Sequence, residues 1–395
     1  MAPPPSLTRT VLALTLLVGG CAEGAEPPRE AHAAPPSRAQ TAAPRAYRCG
    51  TLLPPDPAAA DRELRTSYAA WKAAHVTREG AGGALRVDAG PLYAHGTPSE
   101  AMGYGMLLAV YMDDRPTFDA FWRYTRRYLN RRGLIAWSVS REGRVLDENA
   151  ATDGDEDVAF ALVAADARWG GYREDAVRLV RSLMAHAVEP GTFVFKPGDV
   201  WGGSEVTNPS YFAPAYYKAF AAYTGDARWN RVADASYTVL DRVHARHSPA
   251  TGLQPAWTTA AGDTVRLKGD FPFLYEYGAA RVPWRLAMDA AWNCDPRAQR
   301  HLAKLNAFFH RVGARSIRDG YTLSGRPTGE SHDVSFVAPA AAGALLSPHA
   351  EHRRALWSET VRMRNTGYYG DSLRLLALLL ASGRMHPPRM AAAGR

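Results

Sequence analysis

Beyond about Tyr47, apolar residues recur at three- and four-residue intervals in segment after segment, and strict two-residue alternation is scarce. This spacing predicts twelve helices, over residues 61–76, 99–112, 116–131, 156–168, 172–186, 210–223, 228–243, 276–292, 296–312, 334–346, 349–362 and 372–382. Several carry recognisable starts: Ser99 precedes an apolar run, Pro116 follows Asp113 and Asp114, and Pro296 follows Asp295. Gly/Pro/Asn/Asp loops separate them at 80–83, 196–203 and 324–329. Twelve helices with no obvious linker after Pro54 suit a closed ring of six helical hairpins, an inner helix alternating with an outer one; a two-domain helical protein is the competing reading. No strict repeat of about 34 or 40 residues is visible, which argues against a helical solenoid.

The start of the chain breaks this pattern. Arg9, the apolar run 11–18 and Gly19-Gly20 form a secretory signal over 1–20. Because Cys21 follows directly, the segment resembles a bacterial lipoprotein signal, which implies a lipidated Cys21 and a secreted, periplasmic or cell-surface protein anchored at the outer membrane; an ordinary signal peptide is the alternative. Residues 21–46, mostly Ala and Pro, read as a disordered tether. The folded domain is expected over 47–385, with a tail at 386–395. If Cys21 carries lipid, Cys49 and Cys294 remain, either bridged or as two separate buried thiols.

Composition narrows the choice of partner. At 46% hydrophobic and 22% charged the chain can bury a large core. The net charge of +8 comes from 47 Lys and Arg scattered without a basic run, which speaks against a nucleic-acid surface. Aromatics gather near the loops: Trp137, Trp201, Tyr211, Phe212, Tyr216, Tyr217, Tyr275, Tyr277 and Trp284. Tyr and Trp placed there can stack on sugar rings while their polar tips bond hydroxyls, although core packing accounts for many such residues.

Two stretches could carry chemistry. Glu100 enters a run otherwise apolar and glycine-rich, where burial would keep a proton on it near neutral pH, as a general acid requires; it could equally serve the positive end of its helix. Asp153, Asp155, Glu156 and Asp157 crowd four carboxylates in front of an apolar helix. An EF-hand fails there, because Val158 stands at the glycine position and Ala164 at the bidentate glutamate. The signatures G-x-S-x-G, G-x-x-x-x-G-K-[ST] and H-E-x-x-H do not occur, and His244 with His247 reads as a solvated face. No metal and no cofactor are expected.

Five motifs in order, S-E-x-x-G-Y-G-M from Ser99, A-T-D-G-D-x-D from Ala151, N-P-S-Y-F from Asn208, R-V-P-W-R from Arg281 and Y-Y-G-D-S-L-R from Tyr368, make the chain similar to glycoside hydrolase family 8 from about Trp71 to Gly383. The resemblance implies an all-α (α/α)6 barrel and an inverting endo-β-1,4-glycanase. By position, Glu100 becomes the general acid and Asp153 the carboxylate that grips the distorted sugar, with Asp155 beside it. Trp137, Asp155, Tyr211, Tyr277 and Arg281 become substrate-binding residues. Many members carry the catalytic base as Asp in Y-D-A-x-R, where this chain reads Tyr277-Gly278-Ala279-Ala280-Arg281. One family branch similarly lacks that Asp and takes a Glu from the preceding loop region, so Glu276 is assigned as base, with Asp270 as runner-up. A helix starting at 276 would turn the Glu276 side chain about 200° from the usual base. The substrate expected is a neutral β-glucan such as cellulose or lichenan, because a +8 protein repels cationic chitosan unless its cleft is locally acidic, as the carboxylates at 153–157 could make it; a chitosanase and a catalytically silent sugar-binding protein are the alternatives. The expected partner is a polysaccharide acted on by a monomer, with no nucleic acid and no membrane contact beyond a lipid anchor.

Overall fold

The computed structural model describes residues 43–364 and 367–389. The signal segment, Cys21, nearly all of the 21–46 tether and residues 390–395 lie outside the described residues. Twelve helices form among those described: α1 (Pro57–His75), α2 (Ser99–Tyr111), α3 (Arg115–Thr125), α4 (Thr152–Trp169), α5 (Arg173–His186), α6 (Pro214–Thr224), α7 (Arg228–His247), α8 (Val282–Asn293), α9 (Pro296–Val312), α10 (Val334–Gly343), α11 (Ala350–Arg362) and α12 (Tyr368–Ala381).

Their sequences sort them into two rings. All of α10 is buried, and so is every residue of α2 except Glu100, because helices apolar on all sides must be enclosed. By contrast α9 buries a stripe of Ala298, Leu302, Leu305, Phe308 and Phe309 and turns its charged positions outward. The even-numbered helices pack each on the next, α12 closing on α2, and each of α3, α5, α7, α9 and α11 lies against the helix before it, with α1 on α12. This is an (α/α)6 barrel.

Two small antiparallel sheets were missed by the periodicity, since strands of two or three residues carry no alternation to detect. β1 (Val76–Thr77) pairs with β2 (Arg86–Val87). β3 (Thr97–Pro98), β4 (Ser138–Val139) and β5 (Val145–Asp147) form the second, which leads straight into α2. Asp114 and Asp295 cap α3 and α9 by accepting the Thr117 and Arg297 N–H groups. Ser99 does not cap α2: it is the first helical residue, following Pro98.

Three helix starts differ from the spacing in ways that matter for function. The carboxylate-rich helix begins at Thr152 rather than 156, which places all four acids inside α4. Residues 210–213 belong to a one-turn helix and a link before Pro214 starts α6, and residues 276–281 form a turn before Pro283 fixes the first turn of α8. Far from these starts, the beginning of the described chain is tied to later segments. Cys49 and Cys294 are disulfide-bonded with Cα atoms 5.5 Å apart, and the Tyr47 hydroxyl donates to the Leu380 carbonyl at 2.8 Å. Arg45, assigned to the tether, donates its N–H to Gly383, and the first tail residue, His386, packs on the Tyr47 ring.

Candidate active site

Inner helices α2, α4, α8 and α12 begin at the same end of the barrel, and their first residues meet. Close approach of α2 to α4 depends on two glycines. A Cβ on Gly154 would lie 2.6 Å from the Ser99 carbonyl carbon and 2.7 Å from the Glu100 nitrogen, and one on Gly103 would lie 2.7 Å from the Asp157 Cβ. Without side chains there, Glu100 and Asp153 can share one cation.

That cation is Arg281, at the start of α8. Its Nη1 donates to Glu100 Oε2 at 2.7 Å, to Asp153 Oδ2 at 2.6 Å and to the Tyr104 hydroxyl at 3.2 Å, while Nη2 donates to Ser210 Oγ at 3.0 Å. The Tyr211 ring lies 5.0 Å from the guanidinium, within cation–π range. Tyr368 donates its hydroxyl to the other Glu100 oxygen at 2.8 Å. Burial pushes the Glu100 carboxyl up to about 7; Arg281 opposes the shift and Asp153 adds to it. The Glu100 side chain is 16% exposed, the opening through which a leaving oxygen could reach it. Asp153 is almost fully buried beside it, with Oδ2 on Arg281 and Oδ1 without a hydrogen-bond partner in the protein.

The remaining acids of the cluster turn elsewhere. Asp155 is fully buried, its Oδ1 accepting the Ile135 N–H at 2.7 Å. Burial raises its carboxyl well above the carboxylate range against the pull of that N–H, with Asp199 and Asp153 adding to the rise. It thus anchors the segment bearing Trp137 from behind. Asp157 pairs bidentately with Arg285 at 2.6 and 2.9 Å, and Glu156 lies 3.3 Å from the same guanidinium.

Trp137 is half-buried, and its carbonyl accepts the Ser99 N–H at 2.8 Å, which ties this ring to the residue preceding Glu100. Tyr211 joins a chain of half-buried aromatics through Trp257 to Trp201 and Phe271, with successive centroids 5.6 to 6.4 Å apart. Tyr277 is exposed; its hydroxyl donates to Asp333 Oδ2 at 3.1 Å and its carbonyl accepts from the Tyr369 hydroxyl at 3.0 Å. Sequence reasoning assigned no role to Tyr104, Ser210, Tyr368 or Trp257, although the first three fall within the motifs it singled out.

Glu276 lies in the turn before α8, not on the helix, so the 200° objection to it does not apply. Its Oε1 accepts the Gly278 N–H at 3.2 Å and sits 2.8 Å from the position a Cβ on residue 278 would take. The Glu276 carboxylate therefore occupies the space into which an aspartate at 278 would project. Burial raises its proton affinity; the Gly278 and Tyr277 N–H groups and Arg281 hold it down, and Asp270 pushes it up. Asp270 is exposed.

The family model described as "Glycosyl hydrolases family 8" matches residues 56–383. Endoglucanase A of Acetivibrio thermocellus is 42% identical over 337 residues, 82% of this chain and 70% of that protein. A reducing-end xylose-releasing exo-oligoxylanase of Paenibacillus barcinonensis is 31% identical over 72% of this chain and 81% of its own. Among solved structures, the apo β-1,3-1,4-glucanase of Paenibacillus sp. X4 superposes with a TM-score of 0.82 at 28% identity, covering 89% of this chain and 100% of that one.

Proposed function

The chain belongs to glycosyl hydrolase family 8, and from that premise we propose that it is a secreted endo-β-1,4-glycanase that hydrolyses a neutral β-glucan with inversion. Glu100, carrying its proton near neutral pH, donates it to the departing glycosidic oxygen. Asp153, held by Arg281 beside Glu100, grips the distorted sugar at the cleavage point. Glu276 accepts a proton from water on the opposite sugar face as the water attacks the anomeric carbon, in one displacement. Trp137 and the Tyr211–Trp257 strip supply stacking surfaces for neighbouring sugar rings. A neutral glucan is favoured by the +8 charge, which repels a cationic chain, and by the glucanase names of the relatives. The signal-like segment and Cys21 support a lipid-anchored location at the cell surface.

The observation that carries this reading is the Glu276 carboxylate filling the place of a side chain at Gly278, which supplies an acid where the family pattern has lost one. Glu276→Ala should lower kcat on barley β-glucan by at least ~10²-fold without unfolding the protein. The double variant Glu276→Ala/Gly278→Asp should regain most of that loss, since truncation at 276 clears the only approach under 3.0 Å that a Cβ at 278 would meet. Undiminished turnover in Glu276→Ala removes it as base. Reducing-sugar release compared across lichenan, carboxymethyl cellulose, xylan and chitosan tests the substrate, and the anomer released, followed by NMR, tests inversion.

A further inference from the structure

On the outer surface, the last turn of α9 and the first turn of α11 bring three metal-binding side chains together. His310 Nε2 lies 3.3 Å from Glu351 Oε1, and His349 Nδ1 lies 3.6 Å from the same oxygen. The three donor atoms all fall within 4.8 Å of one another, and the two imidazole centroids are 4.3 Å apart. An ordinary His–Glu ion pair needs two of these groups, not three. Zinc–ligand bonds of about 2.0–2.2 Å in tetrahedral array place ligand atoms roughly 3.3–3.6 Å apart, so both measured separations already match the edges of a zinc tetrahedron.

A second observation points the same way. The His352 ring, 3% exposed, lies 5.0 Å from the His310 ring, and its buried Nε2 has no hydrogen-bond partner. Buried polar atoms are nearly always satisfied, and the two imidazoles and one carboxylate in front of His352 are a donor set suited to a borderline-soft cation. Arg354 adds an opposing charge nearby, which the Glu351 carboxylate offsets. None of these residues belongs to the catalytic cluster.

We propose that His310, His349 and Glu351 bind a divalent transition-metal ion of the zinc class, stapling α9 to α11. The groups are 36%, 51% and 61% exposed as side chains, so an ion can enter from solvent and keep a water at its open position. The test uses the untagged full chain, stripped with chelator and titrated with ZnCl2 at pH 7.5 by calorimetry. One equivalent should bind and the thermal midpoint should rise. Glu351→Gln should weaken binding by at least ~10-fold, and His310→Ala/His349→Ala should remove that equivalent and the thermal response, circular dichroism showing the fold retained. Cobalt(II) in the same titration should give the intense visible absorption of a tetrahedral site in the wild type and not in the double variant. Equal zinc stoichiometry and affinity in the wild type and the double variant, or no binding by the wild type, overturns the proposal.

Discussion

Arg281 and Arg285 stand one helical turn apart, both buried, and both reach across to carboxylates of α4. Arg285 gives its two terminal nitrogens to the two oxygens of Asp157, a closed bidentate pair sealed in the barrel. Arg281 instead spreads one nitrogen over Glu100, Asp153 and Tyr104, at the end of the barrel where Glu100 meets solvent. The same residue types on the same two elements thus form a closed pair at one level and, one turn earlier, a shared junction beside the exposed edge of Glu100. What separates them is depth along the helices, since only the first turns of α2, α4 and α8 border the opening.

The sharpest way to break the comparison is to remove each cation. Arg285→Met leaves Asp157 and Glu156 buried without compensation and should cost about 3–5 kcal/mol of unfolding free energy, read by urea titration. A loss below ~1 kcal/mol would mean the inner pair is not structural. Glu100→Gln should lower kcat by at least ~10²-fold, about 2.7 kcal/mol, with the fold intact. A variant that keeps full turnover removes the acid assignment.

The same substitution should raise stability above neutral pH. A carboxyl whose folded value is lifted above its unfolded 4.5 contributes stability that is complete below 4.5 and lost as pH rises through about 7. Glu100→Gln, which cannot ionise, should therefore exceed wild type by roughly 1–3 kcal/mol at pH 8.5 and match it near pH 4. Arg281→Gln removes the charge that opposes this shift, so the alkaline limb of kcat/KM, expected near 7 in the wild type, should move upward by about one pH unit while activity falls. A stationary limb would show that Arg281 does not tune Glu100. The smallest change belongs to Asp155→Asn, which retains the acceptor for the Ile135 N–H and should leave kcat/KM within about threefold of wild type, as expected for a group that meets substrate only through the segment it anchors. A tenfold loss would put Asp155 in direct contact with sugar.

Much of this molecule was legible before any coordinates. All twelve helices form on the segments that the three- and four-residue spacing marks, though several ends shift, with α4 starting at Thr152 and α8 at Val282, because burying one stripe or a whole helix writes its periodicity into adjacent residues. The motif around Glu100 and the acid cluster at 153–157 come together at one end of the barrel, where Glu100 and Asp153 share Arg281. Spacing did not distinguish Asp153 from Asp155, Glu156 and Asp157, since a rotation of 100° per residue sends neighbours toward Arg281, the Ile135 backbone or Arg285, and those partners come from remote parts of the chain. Trp257 was passed over because its place in the aromatic strip depends on a loop contact with Tyr211.

The sequence by itself determined the helical class and family of this protein, properties carried by local periodicity and by the identities of short ordered motifs. Only the tertiary structure decided that Cys49 meets Cys294 across 245 residues, that α8 starts late enough to free Glu276 from the helix, and that its carboxylate fills the space before Gly278. Those outcomes depend on how helices close around a ring and where loops return, and no window of adjacent residues contains that information.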